Sequence, residues 1–104
     1  MARKCIWLGE SGIKYEYTIY EIGGDSNDLP GNYIFTKETS PQKWQAIYIG
    51  QTESFKERLP NHNELPCIQR NGGTHIHAHT NSDEKSRLDE EKDLLANYTT
   101  PCNQ

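Results

Sequence analysis

Four stretches of the chain carry the apolar patterns of β-strands. In residues 13–22, isoleucine and tyrosine alternate with polar residues with a period of two, which predicts a strand buried on one face. Residues 32–36 and 44–49 are short runs rich in β-branched and aromatic residues. In residues 74–80, histidines alternate with Ile76 and Ala78. Polar, turn-rich links join these stretches, so we expect four strands connected antiparallel.

A short helix is predicted after the third strand. Ser54 and Glu57 have the spacing of a capping box, in which a hydroxyl and a carboxylate bond the free amides of the first helical turn, so a helix should begin near Phe55. Pro60 limits this helix or restarts it. Residues 61–71 have few periodic apolar positions, and we expect them to be irregular.

A longer helix is predicted near the C-terminal end. Asn81 and Glu84 repeat the capping spacing, and the helix should run from there to about Tyr98. At about 100° per residue, one side of this helix carries a mostly apolar stripe. The stripe consists of Leu88, Glu91, Leu94, Leu95 and Tyr98. Glu90 is expected to point away from it.

Glu91 is the unusual member of that stripe. A carboxylate among apolar residues must be paired, protonated or bound to a cation, because burying it alone is costly. A salt bridge to Arg87, or a side chain that reaches water past Leu88, would be an ordinary structural explanation. Binding of a metal ion is the functional one.

The composition fits one domain over residues 1–104. The chain is 33% hydrophobic and 25% charged, which suits a thin sheet of the α+β class better than a thick helical bundle. It contains no run of about 18 apolar residues, so we expect a cytoplasmic protein without a membrane partner. Its three cysteines lack paired spacing and are expected to be reduced thiols, at Cys5, Cys67 and Cys102.

Two triplets and four single residues follow one another in an order known from one family. Gly31-Asn32-Tyr33 is followed by Tyr48-Ile49-Gly50, whose tyrosine comes fifteen residues after Tyr33, and then by Arg58, His62, Glu91 and Asn103. This order resembles the GIY-YIG nuclease domain of phage homing endonucleases and of the excision-repair nuclease subunit that makes the 3′ incision. The resemblance covers residues 31–103, about 70% of the chain, and leaves residues 1–30 as an N-terminal extension. Asn32 departs from the aliphatic residue of the family pattern.

The resemblance implies a fold and a reaction. The fold would be a small central three-stranded antiparallel sheet flanked by helices, with an extra N-terminal strand at residues 13–22. The reaction would be metal-dependent hydrolysis of phosphodiester bonds in DNA by an endonuclease. Selectivity for a DNA site could come from a protein partner or a homodimer.

The resemblance also implies roles for five catalytic residues. Glu91 would bind one Mg²⁺ or Mn²⁺ ion, a hard cation that suits carboxylate oxygen. Arg58 would form two hydrogen bonds to phosphate oxygens. Either Tyr33 or Tyr48 would orient or deprotonate the attacking water. His62 would accept a proton or contact phosphate.

Four further residues are expected to contact substrate. Gly50 would let backbone or phosphate approach closely, although a glycine that ends a strand explains it too. Asn103 would position phosphate or tie the tail to the sheet. Lys56 would substitute for the lysine that some relatives have in place of Gln51. His77 would contact phosphate from the neighbouring strand.

Two other functions remain open from the residues alone. The formal net charge of −4 opposes DNA binding, because phosphate neutralisation supplies most non-specific affinity. Because this charge counts against a nuclease, a non-catalytic DNA-binding or scaffold domain that keeps the fold stays open. Alternate residues of a strand share one face, so His75, His77 and His79 could ligate Zn²⁺ or another transition metal in a metal-binding protein.

Overall fold

One antiparallel sheet runs through the molecule. The structure, a computed structural model, describes residues 3–103. Its strands are β1 (Lys4–Leu8), β2 (Lys14–Glu21), β3 (Gly31–Ser40), β4 (Lys43–Thr52) and β5 (His75–Thr80). Its helices are α1 (Phe55–Arg58), α2 (Leu65–Arg70) and α3 (Glu84–Asn97). The strand order across the sheet is β1-β2-β5-β3-β4, and each neighbouring pair is antiparallel.

The α+β class is confirmed, but the predicted three-stranded sheet is wrong because the sheet has five strands. The predicted extra strand corresponds to β2, which pairs with β5 and so joins the sheet directly. The additional edge strand β1 was not predicted. Its inward residue Trp7 is buried, whereas Ile6 and Leu8 are 52% and 42% exposed. Because the outward-facing residues Ile6 and Leu8 are apolar like the inward-facing Trp7, the sequence of β1 lacks the alternation of apolar and polar residues that would have predicted a strand.

The hairpin of β3 and β4 is longer than predicted. Both strands have ten residues, and β3 includes residues 37–40 of the polar link expected at residues 37–41. The turn is made at Gln42, whose φ of 63° lies in the left-handed region. The polar residues fit a strand because the far end of β3 is mostly exposed.

The helices agree with the predictions at α1 and differ in two details elsewhere. Ser54 caps α1, accepting a hydrogen bond from the Glu57 amide at 3.3 Å. The irregular structure predicted for residues 61–71 is wrong, because α2 forms there with Pro66 in its first turn, where a missing amide costs no helical bond. Asp83, not Asn81, caps α3 by accepting from the Ser86 amide.

Two apolar clusters lie on opposite faces of the sheet. The first packs α1 and α2 against the sheet and contains Tyr33, Phe35 and Ile47. The second packs α3 and contains Tyr17 and Leu94. A register shift between Phe35 and Thr36 adds one residue to β4, so Ile47 joins the cluster of Tyr33, which Tyr48 also contacts. Adjacent residues of a regular strand lie on opposite faces, and this bulge explains why Ile47 and Tyr48 both contact the first cluster.

Two of the three cysteines are joined. Cys67 in α2 and Cys102 form a disulfide, so the prediction of three reduced thiols is wrong. The spacing of 35 residues matches no local motif, and the bond forms because the C-terminal segment returns to the sheet beside α2. Cys5 is free, and burial raises the pKa of its thiol. Within residues 3–103, each helix is too short or too polar to span a membrane.

Candidate active site

Three aromatic rings meet on the α1 face of the sheet. Tyr33 and Tyr48 stack with ring centroids 6.1 Å apart, and His62 meets Tyr48 edge-on at 4.6 Å. Tyr33 is 1% exposed, whereas Tyr48 is only partly buried. The β3–β4 pairing positions the two tyrosines, and the loop after α1 brings His62 onto them. Three of the predicted site residues therefore lie together.

Gly50 makes room for this aromatic group. It lies opposite Tyr33 in the β3–β4 ladder. A Cβ atom at residue 50 would lie 2.7 Å from the Tyr33 hydroxyl oxygen and 2.8 Å from a ring carbon of Tyr48. These distances are too short for carbon, so the two tyrosine side chains require glycine here. The structure thus gives Gly50 a packing reason that is separate from substrate contact.

The hydrogen bonds of His62 fix which of its nitrogens carries the proton. The Glu64 amide donates to Nδ1 at 3.1 Å, so Nδ1 is unprotonated. Burial, together with the charge of Arg58, lowers the pKa of His62 to about 4. The ring is therefore neutral near pH 7 and carries its proton on Nε2, which donates to the Tyr33 hydroxyl oxygen at 2.8 Å. Because Nδ1 is already occupied, this geometry makes His62 a donor to Tyr33 instead of the predicted proton acceptor.

Arg58 supplies the positive charge of the group. Hydrogen bonding to Tyr33 is the main cause that raises the pKa of Arg58, with further contributions from Tyr48. The guanidinium also donates to Asn63 Oδ1 at 2.9 Å through one terminal nitrogen. Arg58 is partly exposed, so its remaining donors can reach a ligand.

Burial makes Tyr33 a poor base. Desolvation raises the pKa of its hydroxyl well above the usual range, although hydrogen bonding from Arg58 opposes the shift. The charge of Glu91 adds to the increase, which shows that this carboxylate lies within electrostatic reach of Tyr33. Tyr33 is therefore a neutral phenol near pH 7 whose oxygen accepts from His62.

Glu90 and Glu91 are adjacent on α3 and have opposite surroundings. Glu90 is 4% exposed and accepts hydrogen bonds from the Tyr17 hydroxyl and, at 2.6 Å, from His79 Nε2. The expectation that Glu90 points away from the packed side is wrong. Glu91 is partly buried, and burial raises the pKa of its carboxyl while the Gln51 amide opposes the shift. Within residues 3–103, Glu91 makes no ion pair.

The sheet-facing side of α3 differs from the predicted stripe. Its buried residues are Arg87, Glu90 and Leu94, at helical spacings of three and four. Leu88 is 45% exposed, so it does not belong to that side. The packed side is rotated by about one residue, or about 100°, from the prediction. Glu91 consequently lies at the border of the packed side instead of its centre.

The surroundings of Glu91 suit a weakly held hard cation. Residues 3–103 contain no group of three or more histidine, cysteine, aspartate or glutamate side chains able to enclose a metal. Mg²⁺ usually takes one or two carboxylates and keeps several waters for substrate phosphate, which a single partly exposed carboxylate permits. Glu91 fits such an ion and Glu90 does not, because its carboxylate is already bonded within the chain.

Asn103 ties the C-terminal segment to β4. Its amide nitrogen donates to the Ile49 carbonyl at 2.9 Å, and its Oδ1 accepts from the Ile49 amide at 2.8 Å. Thr100 also donates to that oxygen at 2.6 Å. Of the two roles considered for Asn103, the structure displays the tie to the sheet, immediately beside Gly50.

The histidines of β5 lie on the face opposite Tyr33 and do not form a common ligand set. His77 is fully buried and accepts a hydrogen bond from Trp7 Nε1 at 2.9 Å. His75 contacts Thr74, and His79 bonds Glu90. A phosphate contact by His77 is therefore wrong for this fold, because no surface of the ring reaches solvent.

Lys56 is exposed on α1, two residues before Arg58. Its side chain borders a groove of about 810 Å³ beside α1, together with Asp28 and Gln69. The residues of the aromatic group and Arg58 do not line this groove, so the structure does not bring Lys56 to them.

Sequence reasoning missed two supporting residues. Asn63 holds Arg58, but a lone asparagine in a polar loop has no distinguishing signal. Glu90 anchors α3 through its bonds to Tyr17 and His79. It is adjacent to Glu91 in the sequence, so the rotation of the helix about its axis decides which of the two is buried. The i, i+3, i+7 spacing of Arg87, Glu90 and Leu94 was the available clue, and it was hidden because two of its members are charged.

No family model, curated protein or solved structure matches this chain. The resemblance to the GIY-YIG domain therefore depends on the order of its residues in the sequence.

Proposed function

We propose that the protein is a metal-dependent DNA endonuclease of the GIY-YIG type. The observation that carries the proposal is the hydrogen bond from His62 to the Tyr33 hydroxyl, beside the partly exposed Tyr48 and within the influence of the Arg58 charge. These residues come from β3, β4, α1 and the following loop. A chain that needed only a packed core would gain little by placing a guanidinium and an imidazole there.

The chemistry that these residues support is attack of water on a phosphodiester. Water attacks phosphorus, the bond from phosphorus to the leaving sugar oxygen breaks, and that oxygen takes a proton. Arg58 binds phosphate oxygens and neutralises the charge that develops on them. Tyr48 is more accessible than Tyr33, so we assign it the contact with the attacking water. Tyr33 and His62 hold Arg58 and Tyr48 in position.

A Mg²⁺ or Mn²⁺ ion at Glu91 would lower the free energy of the charged transition state and polarise phosphate. Glu91 would hold it through one carboxylate, with substrate phosphate completing the site, so binding should be weak without DNA. Lys56 would contact the DNA backbone outside the reacting phosphate. A cytoplasmic location is part of the proposal, and because thiols are kept reduced there, the Cys67–Cys102 bond would be a transient, redox-sensing one.

The test is cleavage of duplex, branched and single-stranded DNA by the purified protein with Mg²⁺ or Mn²⁺. We expect strand cleavage that Glu91→Gln lowers by at least about 100-fold, because a metal ion supplies several kcal/mol to the transition state. Thermal stability should not change. Full activity in Glu91→Gln would refute the metal role.

Absence of cleavage with every DNA and both metals would contradict the proposal. DNA binding that persists in that case would favour the non-catalytic DNA-binding or scaffold domain. The net charge of −4 is the observation that keeps this second function under test.

A further inference from the structure

The C-terminal segment at residues 100–103, which we name the clamp, is bonded along the outer side of β4. The Cys102 amide donates to the Ile47 carbonyl at 3.1 Å. Asn103 bonds both the amide and the carbonyl of Ile49. These contacts bracket Tyr48 and end beside Gly50, so the clamp fixes the part of β4 that carries the candidate site.

The clamp is covalently joined to the segment that holds His62. Cys102 is bonded to Cys67 of α2, and the first turn of α2 follows His62 directly. The Leu65 amide donates to the His62 carbonyl at 3.1 Å, and the Glu64 amide donates to the His62 ring. One disulfide thus connects the backbone around Tyr48 to the backbone around His62.

The two sulfur atoms differ in accessibility. Cys102 is 3% exposed, whereas Cys67 is only partly buried. The Asn71 side chain contacts both sulfurs, at 3.6 Å and 3.7 Å, and also donates to the Cys67 carbonyl at 2.8 Å. A small thiol can therefore approach the pair from the Cys67 side.

We propose that the Cys67–Cys102 disulfide regulates the candidate site, which is ordered when the bond is closed and loosened when a dithiol reductant opens it. This inference rests on the proposed function for its effect on cleavage. Its effect on the structure around Tyr48 can be measured without any cleavage.

The redox step is an ordinary thiol–disulfide exchange. A thiolate of the reductant attacks the Cys67 sulfur, the Cys67–Cys102 bond breaks, and Cys102 leaves and takes a proton. The second thiol of the reductant then attacks the mixed disulfide and releases Cys67. Two electrons and two protons pass to the protein, and the reductant becomes a disulfide.

Opening the bond leaves the clamp attached only by hydrogen bonds. A terminal segment with few contacts frays readily. Loss of the Asn103 bonds frees the Ile49 backbone, and α2 is no longer tied to the same strand. The distance between Tyr48 and His62 is then less well fixed, which lowers activity at a site that depends on positioning.

The first measurement is DNA cleavage by the wild-type protein before and after dithiothreitol, with the metal in excess. We expect activity to fall by about 10-fold on reduction, because small misplacements at a reacting centre have effects of this size or larger. Reoxidation should restore it. The Cys67→Ser/Cys102→Ser variant should behave as the reduced protein and ignore dithiothreitol, whereas Cys5→Ser, the matched control, should respond as the wild type does.

The second measurement is amide hydrogen exchange in the wild-type protein. We expect amide exchange at Ile49 and Cys102 to accelerate by about 10-fold or more on reduction. The Ile49 amide donates to Asn103 in the clamp, and the Cys102 amide of the clamp donates to the Ile47 carbonyl, so both bonds are lost when the clamp frays. Residues of β1 and β2 serve as the internal control and should not change. This readout uses the wild-type chain, so a variant that fails to fold does not prevent the test.

The outcomes separate the two proposals. If amide exchange at Ile49 does not change on reduction, the proposed redox regulation is refuted. It is also refuted if an active protein cleaves DNA equally well in its two redox states. If neither state cleaves DNA but exchange at Ile49 still responds, the proposed function fails and the redox-sensitive clamp stands.

Discussion

Similar residue types occur together on each face of the sheet. Under α3, Tyr17 and His79 bond Glu90, while Arg87 nearby on the helix bonds Gln51 and Asn81. On the other face His62 bonds Tyr33 beside Arg58, and the charge of Glu91 reaches Tyr33 from the border of α3. Under α3 the charged groups bond other parts of the chain, and Arg87 and Glu90 are at most 4% exposed. In the second group Arg58, Glu91 and Tyr48 keep exposed surface.

The difference teaches that residue types alone do not identify a site. The group of Tyr17, His79 and Glu90 joins β2, β5 and α3, and its carboxylate is already bonded within the chain. The candidate site has similar chemistry with unfilled hydrogen-bonding capacity at its border. Removing the same atom from each group should therefore have opposite consequences.

The largest effect is expected from removing one tyrosine hydroxyl at a time. Tyr48→Phe should lower DNA cleavage by about 100-fold, because a contact with the reacting water is lost, and should leave stability unchanged. Tyr17→Phe should do the reverse, lowering the free energy of unfolding by about 1–3 kcal/mol because Glu90 loses a buried donor. Cleavage rates and chemical denaturation at one pH measure both. Equal losses of activity in the two variants would refute the distinction.

A smaller effect is expected at Gly50. Gly50→Ala places a carbon against Tyr33 and Tyr48, so the rings must separate. Activity should fall by about 10-fold, with a loss of stability of about 1–3 kcal/mol from overpacking.

Gly24→Ala is the matched control for Gly50→Ala, because the nearest atom to a Cβ there is 3.9 Å away. It should be neutral in both assays. A fully active Gly50→Ala protein would show that the tyrosine arrangement does not matter for cleavage.

The smallest effect is a dependence of stability on pH. Burial lowers the pKa of His62 to about 4, from a usual value of 6.5, so the folded state favours the neutral ring. The stabilisation is complete above pH 6.5 and is lost as the pH falls towards 4, because the unfolded chain binds the proton first. We expect a contribution on the order of 1–2 kcal/mol, reduced by partial solvent access.

His62→Gln should reduce the slope between these pH values without abolishing it, because glutamine does not titrate whereas buried His77, whose pKa burial lowers to about 3, still does. His79→Gln is the control from the other face and should keep the slope that His62 produces. A slope that is the same in His62→Gln and in the wild type would show that His62 does not contribute to it.

The parts of the fold that follow local patterns could be predicted from sequence. Strands β2 to β5 are recognisable from alternation or from runs of β-branched and aromatic residues, and Ser54 gives a local capping signal. The extent of α3 follows from its local sequence, whereas the side that packs does not. The pairing of β2 with β5 joins residues far apart in the chain and leaves no local trace. The same holds for the Cys67–Cys102 bond, which requires α2 and the C-terminal segment to be adjacent.

The members of the candidate site could be predicted from the order of residues in the family resemblance, but not from periodicity, capping or burial patterns. Tyr33, Tyr48, Arg58 and His62 do lie together, as the family resemblance implies. His77 does not join them, because its side chain points to the other face of the sheet. The orientation of α3 differs by about one residue from the prediction, and that shift exchanges the surroundings of Glu90 and Glu91.

The positions of the two tryptophans determine which part of the molecule intrinsic fluorescence reports. Trp7 and Trp44 both contact His77, on the α3 face of the sheet. Intrinsic fluorescence therefore reports the packing of that face during unfolding. Events at Tyr48 and His62, including DNA binding, will be almost silent in emission and are better followed through the NMR signals of the His62 ring.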